Sequence, residues 1–81
     1  MNLLLARKLL LAAARQPGGQ LSVHDRARAR EIQMMIDAGL VEGQGPTEND
    51  PYSAQILTVT DHGLKFLRAF RDLPDEQPPL L

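Results

Sequence analysis

The chain has 81 residues, nine Lys or Arg against ten Asp or Glu, a formal net charge of −1 and no cysteine. One small domain is expected, over residues 1–73, with a core thin enough that tight helix packing or self-association must support it. The missing cysteines exclude disulfide frameworks and thiolate metal sites, and the two histidines, His24 and His62, have no carboxylate cluster beside them to complete a metal site.

Asn2 to Arg15 reads as the first helix, rich in Leu and Ala, both strong helix formers. Leu5, Ala6, Leu9, Leu10 and Ala13 fall on one face and point to the core. Leu4 and Leu11 fall on the opposite face, one heptad apart, beside Arg7, Lys8 and Arg15. A helix apolar on both sides is usually buried on both sides. The two leucines are therefore either the interface of a homodimer or ordinary surface leucines. The Leu-rich start also invites a secretory-leader reading, but Arg7 and Lys8 split the apolar run. No stretch approaches the roughly 20 apolar residues of a membrane span, so a cytoplasmic protein without membrane contact is expected.

"QPGGQ" ends the helix, because Pro17 cannot continue it and Gly18 and Gly19 suit a turn. Ser22 reads as the N-cap of the second long helix, with Asp25 three residues on in its first turn. Ile32 and Ile36 define the core stripe of that helix, flanked by Ala29 and Met35. Gly39 should stop it in the left-handed conformation, with Leu40 folding back as the hydrophobic contact of the cap. "LVEG" and "AQILTV" (54–59) read as two strands around the Gly/Pro/Asn/Asp loop "QGPTENDPYS", hence as a hairpin. Thr60 then caps a last helix from Asp61 to about Asp72, with Leu64, Leu67 and Phe70 inward and Phe66 at the border. "PDEQPPLL" (74–81) has three prolines and no periodicity, which predicts a disordered tail.

Helix, helix, hairpin, helix makes an α+β chain in the order of a winged helix-turn-helix. "MMIDAGLVEG" resembles the end of a recognition helix running into the first wing strand, and "LTVTDHGLKFLRAFRD" resembles the second wing strand and closing helix. More narrowly, Thr60, Gly63, Phe66, Leu67, Ala69, Phe70, Arg71 and Asp72 are similar to the pattern T-x-x-G-x-x-F-L-x-A-[IF]-R-D of small uncharacterised winged-helix proteins from bacteria and phages. The resemblance spans about residues 1–72 and implies the fold while assigning no activity. One departure stands out: the short helix that precedes a recognition helix and braces the duplex backbone is reduced to a turn or absent.

With Ile32 at the centre of the buried face, a step of about 100° per residue places Arg26, Gln33 and Arg30 roughly 100–160° away. Arg and Gln on one outward stripe suit the major groove, Arg pairing with guanine and Gln with adenine. Ser22, at the expected helix start, would offer a phosphate its backbone N–H, and Arg28 lies nearer the buried flank. These five residues, helped by Lys8 or Arg15, are the candidate contacts to double-stranded DNA. The bland alternative is a solvated helix face compensated locally by Asp25, Glu31 and Asp37. Charge is polarised along the chain, with six basic and three acidic residues in 1–40 against three and seven in 41–81. The hairpin carries Glu42, Glu48 and Asp50 and no Lys or Arg, which disfavours phosphate. A protein partner docking on this acidic wing through Tyr52, with Leu4 and Leu11 as a further contact, is the competing expectation, as for a phage-encoded modulator of a host machine. Neither a Ser/His/Asp arrangement nor a phosphate-binding glycine loop is visible, so neither enzyme activity nor a cofactor is expected.

Overall fold

Asn2 has extended backbone angles and its side chain accepts the amide hydrogen of Leu5 at 3.1 Å, which starts α1 (Leu3–Arg15). The computed structural model describes residues 2–70; the tail expected at 74–81, and Arg71 to Leu73, lie outside them. After α1 come a single 3-10 turn (Pro17–Gly19), β1 (Leu21–Val23), α2 (Arg26–Asp37), β2 (Val41–Gln44), β3 (Ala54–Val59) and α3 (Asp61–Ala69). The turn is made by Gly18 and Gly19, both at positive φ, 82° and 74°.

The hairpin expected from the sequence is part of a larger, three-stranded antiparallel sheet in the order β1-β3-β2. β1 pairs Leu21 with Ile56, Ser22 with Gln55 and Val23 with Ala54. The expectation that Ser22 caps a helix is therefore corrected. Leu21 and Val23 alternate with Ser22, a period of two that suits a strand on one buried face. The cap is Asp25, whose side chain accepts Arg28 N–H at 3.0 Å. At its other end α2 stops as its sequence predicts. Gly39 sits at φ 78°, its N–H reaches Ile36 O at 3.0 Å, and Leu40 N–H reaches Met35 O at 2.9 Å, the two bonds of a Schellman cap.

One face of the sheet carries the core. Val23, Val41, Ala54 and Ile56 are buried against Ala6, Leu9, Leu10 and Ala13 of α1 and Ala29, Ile32 and Met35 of α2, while Leu5 is half-buried. The stripe of α2 is rotated from the expected one: Met35 is fully buried and Ile36 only half so. α3 departs further. Leu64, expected inward, is 41% exposed, and Phe66, Leu67 and Phe70 are half-buried. The cause is Gly63, the buried residue of α3, where a side chain would run into the carbonyl of Leu40. The helix approaches closely along 63, 66, 67 and 70, spacings that share one face. Three helices and a three-stranded antiparallel sheet thus make a single α+β globule, and the opposite sheet face stays open, with Ser22, Gln44, Leu57 and Thr58 exposed.

Candidate functional site

The amino half of α2 carries the cluster of cations. Arg26, Arg28 and Arg30 are all exposed. Arg28 turns back on its own cap, with Nη1 3.7 Å from Asp25 Oδ2; both side chains are about half exposed, so the pair is worth at most about 1 kcal/mol. Asp25 thus compensates Arg28 rather than Arg26. The side chains of Arg26 and Arg30 make no hydrogen bond or ion pair with another described residue. One turn apart, they share a face, with roughly 5–6 Å between Cβ atoms at that spacing.

Neither Glu31 nor Asp37, which the alternative reading offered as local compensation, pairs with Arg30. Glu31 is only 5% exposed; its Oε1 accepts the amide hydrogen of Asn2 at 3.3 Å, which ties α2 to the start of α1. Asp37 accepts from Gln33 Nε2 at 3.0 Å instead of meeting a cation. Gln33 is less open than the arginines. It is half-buried, and a side chain at Gly45, where the β2–β3 loop begins, would collide with its Oε1. Ser22 lies in β1, four residues before the helix, so its N–H is not one of the amides that open α2. Of the five candidate DNA contacts, the structure groups Arg26, Arg28 and Arg30, braces Gln33 and removes Ser22 to the sheet.

The β2–β3 loop is held by its own polar groups. Thr47 and Asp50 exchange backbone hydrogen bonds of 3.2 Å, Asp50 N–H reaches Thr47 Oγ1 at 3.1 Å, and Tyr52 N–H reaches Asp50 Oδ1 at 3.3 Å. Glu42, Glu48 and Asp50 are exposed, as is Tyr52 at 53%. On α1, Leu4 is 41% exposed while Leu11 is half-buried, so the two do not form an evenly open apolar face.

No protein-family model matches the chain, and no curated protein or solved structure matches it.

Among the described residues no helix is long and apolar enough to cross a membrane, and no group of three or more His, Asp or Glu is placed to hold a metal ion. Sequence reasoning missed three features. The first is β1, whose three residues alternate too briefly to outweigh the capping-like pair Ser22 and Asp25. The burial of Glu31 follows from its wheel position, about 100° from Ile32 on the flank opposite Gln33. The third is a polar cleft of about 300 Å³ at the loop end of the sheet, lined in part by Ser22, Gln44 and Gln55. It depends on β1 pairing with β3.

Proposed function

We propose that the protein is a DNA-binding winged helix, a small transcriptional regulator that presents α2 to the duplex. The observation that carries this reading is the pair Arg26 and Arg30, exposed on one face and without an ionic partner among the described residues. Two guanidinium groups held one turn apart suit phosphates or guanine edges. The placement of α2 between β1 and β2, with β3 paired to both, supports the winged-helix reading, in which the β2–β3 hairpin is the wing. The closing-helix resemblance to small bacterial and phage winged-helix proteins has a folding rationale: Thr60 caps α3, Gly63 permits close approach, and Phe66, Leu67 and Phe70 share the packed face. The segment before α2 holds a 3-10 turn and a strand, so the bracing helix of the usual motif has no counterpart there, and α2 alone must set the docking angle.

The test is a titration of a labelled mixed-sequence duplex at several salt concentrations. Binding is expected near 50 mM salt, and the paired change Arg26→Ala and Arg30→Ala should reduce the salt slope by up to about 1.8, at about 0.9 per phosphate contact. No binding near about 50 mM, or a slope that the double variant leaves unchanged, overturns the reading.

A second reading is favoured by Tyr52, 53% exposed, whose N–H meets the carboxylate of Asp50 in a loop that also carries the exposed Glu48. An exposed tyrosine on an acidic loop suits a basic protein surface. In that case Tyr52→Ala would abolish association and the arginine changes would leave it untouched.

A further inference from the structure

On the open face of the sheet, Ser22, Gln55 and Gln44 stand in one row, because Ser22 is the register partner of Gln55 and Gln55 that of Gln44. Side chains directly opposite across antiparallel strands lie about 4.5–5.5 Å apart at Cβ and on the same face. The row lines an open cleft of about 300 Å³, the small end of the range for ligand clefts. His24 and Ser53 also line it, with His24 Nδ1 3.5 Å from Ser53 Oγ, as do Thr47 and Asp50 of the hairpin loop.

Each glutamine carboxamide offers one acceptor oxygen and two N–H donors. Neither Gln44 nor Gln55 spends these side-chain groups on another described residue. Asp50 is the carboxylate of the cleft, and only its Oδ1 is engaged, by Tyr52 N–H. Lys and Arg are absent from the lining. The cleft thus offers paired amide donors and acceptors, hydroxyls, an imidazole and one carboxylate oxygen, with no Lys or Arg to hold an anion.

We infer that this cleft binds an uncharged purine nucleoside. A carboxamide matches the adjacent donor and acceptor of an adenine edge in a bidentate pair. A carboxylate accepts from the hydroxyls of a ribose, the use that dinucleotide-binding folds make of an acidic residue. With no Lys or Arg in the lining, the 5′-phosphates of the same nucleoside are disfavoured. A phosphate brought near Asp50 meets repulsion that no Lys or Arg of the cleft offsets. The site does not depend on α2 engaging DNA.

The experiment is an NMR titration of the labelled full chain with adenosine, inosine and adenosine 5′-monophosphate. Adenosine or inosine is expected to shift the amides of Ser22, Gln44, Thr47, Asp50 and Gln55 in a saturable way at millimolar concentration, leaving those of α1 in place. The monophosphate should bind at least about tenfold more weakly. Gln44→Ala and Gln55→Ala should each cost about tenfold in affinity, the loss of one net hydrogen bond, with the spectrum still that of a folded chain. Asp50→Asn keeps an acceptor for Tyr52 N–H and should narrow the gap between nucleoside and monophosphate. No saturable shift with either nucleoside, equal affinity for the monophosphate, or indifference to both glutamine changes overturns the assignment. Nucleoside binding without duplex binding would refute the DNA reading and leave this one standing.

Discussion

Thr60 joins three elements through a single hydroxyl. Its Oγ1 lies 2.6 Å from Gly39 O and 2.9 Å from Leu40 O, the end of α2, and accepts Gly63 N–H at 3.0 Å in the first turn of α3. Its backbone N–H also reaches Leu40 O, at 3.1 Å. The hydroxyl proton is shared between two carbonyls while the lone pair caps a helix. Thr60→Val keeps the volume and deletes both roles, so it should cost about 1–2 kcal/mol in urea unfolding with an unchanged m value, and Thr60→Ser should retain most of the stability. Gly63 sets a second test of the same joint. Alanine is favoured over glycine in a helix by about 1 kcal/mol. Here its Cβ would press on the Leu40 carbonyl and lie 2.9 Å from Val59 Cγ1. The carbonyl is backbone and cannot swing away, so sterics win over propensity. Gly63→Ala should destabilise by about 1–3 kcal/mol, visible as a lower thermal midpoint.

At the scale of elements, what was legible is what local chemistry decides. The caps at Gly39 and Thr60 and the β2 and β3 strands announce themselves within a few residues, since each depends on a turn residue or a β-branched run. β1 does not, because Leu21 becomes a strand only by pairing with Ile56 far along the chain. Ser22 followed by Asp25 mimics a capping pair closely enough to hide it. The candidate site divides the same way. The wheel finds Arg26 and Arg30, whose environment is solvent, but does not show that Gln33 is half-buried, because its neighbour Gly45 comes from the hairpin. Two glycines of that hairpin turn the point into an ordered prediction. At Gly43, where the β2–β3 register shifts, an added Cβ would strike the backbone oxygen of Gln55. At Gly45 it would strike only the far end of the Gln33 side chain, which can rotate. Gly43→Ala should therefore cost about 1–3 kcal/mol and Gly45→Ala within about 0.5 kcal/mol, the order being checked by denaturant midpoints.

For the whole molecule, the decisive quantity is where charge lies rather than its near-zero sum. Between Leu40 and Leu64 there is no Lys or Arg, while Glu42, Glu48, Asp50 and Asp61 are all exposed. The cations of α2 occupy a separate element that contacts the hairpin through Gln33 and Gly45. A duplex docked on Arg26 and Arg30 as a wing-bearing domain docks would bring phosphates toward Glu48. Exposed charges act over about 10 Å at 0.1 M salt, so that repulsion is felt at low salt and screened as salt rises. Glu48→Lys replaces a repulsive contact by an attractive one and touches no buried group, so folding stability should hold within about 0.5 kcal/mol. Duplex affinity should rise several-fold near about 50 mM salt, with a salt slope steeper by about 0.9 if a phosphate contact forms. The gain should shrink at higher salt and persist when Tyr52 is replaced by Ala. If the change weakens association with a basic protein and leaves duplex affinity where it was, the acidic hairpin is itself the binding surface, and the arginines of α2 are a solvated helix face.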